Sequence, residues 1–180
     1  MSILFVAGRA ADYLQDLTFA GLSETLKKNN VSDFPYHWQY HSERRFFWSR
    51  KSEYPRNMGY VAGRGKTEPI FSLNELEEQL ARSDFRLAVL GSAKPDALDY
   101  FLKIEDKVKC PWIFIDGGDW AEVGGDFKRE GGDACLERFQ ALCRRHPPAL
   151  IFKRELPLGS KLENVFPLQF SLNVSHVRAL

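Results

Sequence analysis

Two short polar runs, each closing an apolar stretch, hold the residue types that do chemistry. Asp116-Gly117-Gly118-Asp119 follows Trp112-Ile113-Phe114-Ile115, and Lys153-Arg154-Glu155 follows Ala149-Leu150-Ile151-Phe152. Two carboxylates three positions apart could bind sugar hydroxyls, hold a metal, or act as acid and base. The same four residues also suit a plain turn, in which Asp caps the next segment and glycine supplies positive φ. A metal would need more oxygen ligands than this stretch offers. The cations of the second run could take a phosphate or carboxylate, Arg154 in a two-pronged contact. Equally, they could close a salt bridge to Asp116 or Asp119 that only ties two loops together. The candidate ligand-binding set is therefore Asp116, Gly117, Asp119, Lys153, Arg154 and Glu155.

A second candidate region is residues 42–67, where Arg44, Arg45, Arg50, Lys51, Arg56, Arg64 and Lys66 outnumber Glu43 and Glu53. Phe46, Phe47, Trp48, Tyr54 and Tyr60 are interleaved with them, and Pro55 and three glycines break any period. Loops this long in one domain are commonly functional. Arg44, Arg45 and Trp48, with Arg9 after the first apolar run, are its candidate contacts. Cations among aromatics can grip a single nucleic acid strand, but the formal net charge is only +1. The reading is therefore against nucleic acid.

Several chemistries are set aside. His37 and His41 are four apart in an alternating, strand-like stretch with no third ligand, so no metal is expected. Gly8-Arg9-Ala10-Ala11 has one of the three glycines a dinucleotide fingerprint needs. Gly65-Lys66-Thr67 ends like a phosphate-cradling loop, but position 60 is Tyr60 and no strand leads in. A phosphoacceptor receiver needs an acidic pair after the first strand, where this chain has Gly8-Arg9. No cofactor is expected.

The elements that position these residues read as alternating strands and helices. Residues 3–7, 87–90, 112–115 and 149–152 are apolar runs of strand length, apolar on both faces and so buried in a parallel sheet. Residues 34–41 alternate Tyr36, Trp38 and Tyr40 with polar neighbours, which predicts a strand nearer an edge. Helices are predicted over 17–28, over 72–82 with Ser72 and Glu75 as a capping box, from Pro95 through Leu102, and through Leu136, Phe139 and Leu142 to Arg145. Gly124-Gly125 and Gly131-Gly132 punctuate the loop before that last helix. The expectation is a three-layer, doubly wound α/β domain over residues 1–180, Rossmann-like or flavodoxin-like, with a mainly parallel sheet of about five strands. Residues 163–180, interrupted by Pro167, are expected to form an extended C-terminal arm.

Hydrophobic content of 44% and charged content of 27% suit a soluble globular chain. No apolar run reaches the roughly 20 residues a bilayer span needs, and the first residues lack the basic lead of a secretory signal. Cys110, Cys135 and Cys143 have no ligand spacing and an odd count, which suits small buried hydrophobes in a reducing compartment. The expected location is cytoplasmic.

Three runs taken together resemble a family. Phe114-Ile115-Asp116-Gly117-Gly118-Asp119, Phe152-Lys153-Arg154-Glu155-Leu156 and Phe166-Pro167-Leu168-Gln169-Phe170-Ser171 are similar to the N-terminal half of bacterial glycosyltransferase-like proteins of the two-Rossmann-domain kind, found in spore maturation and surface-polysaccharide synthesis. The resemblance implies an acceptor-side Rossmann-like half. The nucleotide-sugar of such proteins binds chiefly to a second half, for which this chain carries no donor-binding glycine loop. The implied function is a stand-alone half that binds a sugar-containing or anionic ligand and is not catalytic alone. The alternatives are a transferase completed by a second polypeptide or a homodimer, and an interaction module whose basic-aromatic loop grips an acidic partner.

Overall fold

The fold is given by a computed structural model that describes residues 2–10, 12–26, 30–37, 40 and 70–168. Residues 44, 45 and 48, the rest of the 42–67 segment, and the arm beyond residue 168 lie outside the described residues. Six strands form one all-parallel sheet: β1 (Ile3–Val6), β2 (Val31–Phe34), β3 (Leu87–Leu90), β4 (Trp112–Asp116), β5 (Leu150–Lys153) and β6 (Val165–Pro167). Their spatial order is β2-β1-β3-β4-β5-β6. The helices are α1 (Tyr13–Thr25), α2 (Leu73–Ala81), α3 (Pro95–Leu102) and α4 (Gly125–Arg145), with a 3₁₀ turn at Glu105–Lys107. This is a three-layer α/β, Rossmann-like arrangement.

The side-chain period of two sorts each strand between two cores. Leu4 and Val6 of β1, with Ala88, Leu90, Trp112 and Phe114, pack against Leu76 and Leu80 of α2, Leu98 and Phe101 of α3, and Leu136, Phe139 and Leu142 of α4. Ile3 and Phe5, with Val89 and Ile115, meet Leu14 and Phe19 of α1 on the opposite face. Strands buried from both sides explain the unbroken apolar runs.

Three expectations change. The strand expected over 34–41 is displaced: β2 lies at Val31–Phe34, and its Ser32 and Asp33 broke the apolar pattern although both are buried. The Asp33 carboxylate accepts the His37 N–H at 2.8 Å. The Tyr40 N–H donates to the His37 carbonyl at 2.9 Å, and the Tyr40 ring stacks on Phe19 at 4.0 Å. Next, α1 begins at Tyr13, because the Asp12 carboxylate accepts the Leu14 and Gln15 N–H groups. Finally, α4 begins at Gly125 and runs across the predicted loop, broken only at Gly132, whose φ of 74° no ordinary side chain adopts readily. The foot of the expected arm is a sixth parallel strand, β6, paired with β5. Its Pro167 is tolerated because β6 is the last strand of this sheet. Among the described residues no helix is long and apolar enough to cross a membrane.

Candidate functional site

β4 and β5 run side by side with Asp116 opposite Lys153 at their carboxyl ends. The Lys153 Nζ lies 3.3 Å from the Asp116 Oδ1, and neither side chain has exposed surface. That carboxylate also closes a turn. Its Oδ1 accepts the Gly118 N–H at 3.1 Å and its Oδ2 the Gly124 N–H at 2.7 Å, so one buried group holds both ends of residues 118–124. The Arg154 N–H donates to the Asp116 carbonyl at 3.0 Å, which locks the second polar run beside the first. Burial raises the Asp116 pKa above the ordinary carboxylate value; the Lys153 charge and the two N–H groups pull it down without cancelling that cost.

One layer outward the pairing repeats. Arg154 contacts the carboxylate of Asp119 and, at 3.2 Å, that of Glu155. Asp119 is 64% exposed and Arg154 15%. Arg129 of α4 adds a second cation to Asp119, at 3.3 Å. The two sequence runs therefore interlock residue by residue, Asp116 with Lys153 in the interior and Asp119 with Arg154 at the surface. Trp120, next in the turn, is 48% exposed beside them.

Gly117 and Gly118 do not take the positive φ that a plain turn would need; among the described residues positive-φ glycines are 124, 132 and 159. Their role is close approach. A Cβ at Gly117 would lie 3.1 Å from Leu14 of α1, and one at Gly118 would lie 2.8 Å from the Asp126 Cγ. The turn is therefore pressed onto the starts of two helices.

The strand order places the topological switch between β1 and β3, where ligands of such sheets usually bind. The chain itself fills this crevice. The Asp96 Oδ2 accepts the Arg9 and Ala10 N–H groups at 2.5 and 3.4 Å. The Ser92 hydroxyl donates to the Asp12 Oδ2, while the Gln15 amide satisfies both the N–H and the carbonyl of Gly8. Carboxylates thus sit where helix N-termini would otherwise draw an anion. At the β4–β5 end, by contrast, Asp119, Trp120 and Glu155 face solvent.

The structure brings Asp116, Gly117, Asp119, Lys153, Arg154 and Glu155 together at the carboxyl ends of β4 and β5. Arg9 lies apart from them, its guanidinium 5.9 Å from the Tyr100 ring centre. Arg44, Arg45 and Trp48 are outside the described residues. Sequence reasoning missed Trp120, Asp126 and Arg129. Trp120 was in view beside Asp119; Asp126 and Arg129 were hidden by reading the start of α4 as loop. Among the described residues no group of three or more His, Cys, Asp or Glu side chains could hold a metal ion. Burial raises the pKa of all three cysteines, that of Cys143 to about 11, so these thiols are poor nucleophiles. An open cavity of about 420 Å³ lined by Leu80, Phe85, Arg86, Lys109 and Cys110 lies at the amino edge of the sheet, away from these groups. Comparison with protein families, curated proteins and solved structures found no match.

Proposed function

We propose that this chain is a glycosyltransferase-like, acceptor-side Rossmann half that binds sugar hydroxyls at the carboxyl ends of β4 and β5. The observation that carries the reading is the interlocking of the two polar runs. A buried Asp116–Lys153 pair fixes the turn, and the turn sets Asp119 against Arg154, with the exposed Trp120 the next residue along. Carboxylates accept from hydroxyls, a guanidinium donates to ring and hydroxyl oxygens, and an exposed indole offers an apolar face for a sugar ring. A phosphate or other free anion fits less well: the exposed groups are chiefly carboxylates, and the helix N-termini already carry the chain's own. In this reading Asp116 and Lys153 position the turn, and Asp119, Trp120, Arg154 and Glu155 touch the ligand.

The test is ligand-observed NMR with glucose, galactose, mannose and N-acetylglucosamine against the parent, Asp119→Asn and Trp120→Ala. Saturation transfer to at least one sugar that both substitutions abolish supports the reading. Equal transfer in all three proteins, or none in any, defeats it.

A second reading has its own support. Leu150, Leu158, Leu162 and Phe166 are exposed around the β5–β6 edge, a place where another polypeptide or a second copy could dock to complete a transferase. Light scattering across a concentration series separates the two: a stable dimer favours completion by a second copy, and a monomer at every concentration counts against it.

A further inference from the structure

Asp126 opens the first turn of α4 and is 5% exposed. Its Oδ2 lies 3.4 Å from the Arg129 guanidinium, which also serves Asp119 and Glu130. Its Oδ1 is buried and has no hydrogen-bond partner. This carboxylate points at the polar turn. A Cβ built on Gly118 would lie 2.8 Å from the Asp126 Cγ, 3.1 Å from its Oδ1 and 3.0 Å from the Asp116 Oδ1. Two carboxylates from different elements thus converge on a glycine where no side chain intervenes. Asp116 is satisfied there by Gly118, Gly124 and Lys153, while one Asp126 oxygen is left without a donor.

A buried acceptor without a donor weighs against the closed turn. The missing partner is a donor, and its chemistry can be narrowed. A divalent metal is a poor fit, because the described residues gather no group of three or more His, Cys, Asp or Glu side chains to hold one. Among the described residues the cation beside Asp126 is Arg129, which is already shared among three carboxylates. A neutral hydroxyl needs one acceptor oxygen and adds no charge to a turn already crowded with carboxylates.

We propose that Asp126 is a further ligand residue of the carboxyl-edge site, the acceptor for a sugar hydroxyl that enters when the crest of the turn, residues 119–123, lifts between the two ends that Asp116 holds. This rests on the sugar-binding reading above. Among the described contacts, the crest of the turn is held at Asp119 by Arg154 and Arg129, and the Asp119 carboxylate is itself largely in water, where an ion pair contributes little. A polyol competing for Asp119 loosens those ties and uncovers Asp126, whose oxygen then gains its donor. Binding and opening are linked through the one carboxylate.

The test compares the parent, Asp126→Ala and Asp126→Asn by titration with the sugar that gives the strongest saturation transfer, alongside thermal melts without ligand. Loss of a hydrogen bond to a charged acceptor predicts about tenfold weaker binding or more for Asp126→Ala. The unliganded melting temperature is expected to hold or rise, because the variant removes the orphaned oxygen. Weaker binding with an undiminished melting temperature supports the proposal, and a residue serving only the fold would not give that combination. A parent that binds sugar and an Asp126→Ala variant that binds it equally well overturn the proposal and leave the site reading standing. A parent that binds none of the sugars overturns both. Should Asp126→Ala fail to fold, Asp126→Asn keeps the side-chain shape while replacing the charged acceptor, and unchanged affinity in that variant overturns the proposal by itself.

Discussion

Asp116 and Lys153 face each other with no exposed surface, a setting in which desolvation offsets much of the Coulomb attraction. The pair adds little net stability, yet removing one partner leaves the other charge buried and alone. Asp116→Asn and Lys153→Met are each expected to cost about 3–5 kcal/mol in urea unfolding, and the double variant less than their sum. Strict additivity would show that the two do not act as a pair. The direction of the Asp116 shift also gives a pH dependence. Burial raises its pKa above 3.8 in the native state, so the fold holds this proton after the unfolded chain has released it. The group's stabilising contribution is therefore present at low pH and lost as pH rises through the native value. Stability of the parent minus that of Asp116→Asn should fall from about pH 3.5 upward, and a rise over that window would contradict the assignment. Arg154 differs because the Asp119 carboxylate it contacts is largely in water. Arg154→Ala should cost no more than about 1 kcal/mol while weakening sugar binding. A loss as large as that of Lys153→Met would make Arg154 part of the interior clamp.

At the scale of elements, apolar runs were legible and polar starts were not. The strands β1, β3, β4 and β5 were readable within a residue or so because burial in the sheet leaves them apolar up to the Asp116 and Lys153 that end β4 and β5. Ser72 and Glu75 marked the start of α2, where the Ser72 hydroxyl accepts the Glu75 N–H and the Glu75 carboxylate accepts the Phe71 N–H. β2 was missed because the native structure buries the polar Ser32 and Asp33, a tertiary effect that local pattern does not carry. The start of α1 was missed because its cap, Asp12, stands ahead of the apolar stripe that puts the predicted start at residue 17. Gly91 tests the packing of these elements. It follows β3 against the fully buried ring of Phe5, and a Cβ there would fall inside the ring's van der Waals shell. Gly91→Ala is expected to lower stability by about 1–3 kcal/mol in a thermal melt, through overpacking. A neutral result would mean that Phe5 has room to retreat.

Across the whole molecule, the carboxyl edge of the sheet has two ends with different uses. At the β1–β3 end, Asp12, Asp96, Ser92 and Gln15 spend their hydrogen bonds on the chain itself. At the β4–β5 end, a buried pair supports a turn whose outer groups face water. The sequence revealed the second end, since both polar runs directly follow apolar strands. It did not reveal that the first is filled, because the Arg9–Asp96 and Ser92–Asp12 contacts join residues 80 or more positions apart. The most direct measurement of the site claim is a ¹H–¹⁵N correlation spectrum of the parent titrated with the strongest-binding monosaccharide. Shifts should gather at residues 117–126 and 153–155 and disappear in Asp119→Asn. Shifts gathered instead at Phe85, Arg86 and Lys109 around the amino-edge cavity, or at Gly8 and Ser92 in the β1–β3 crevice, would contradict it.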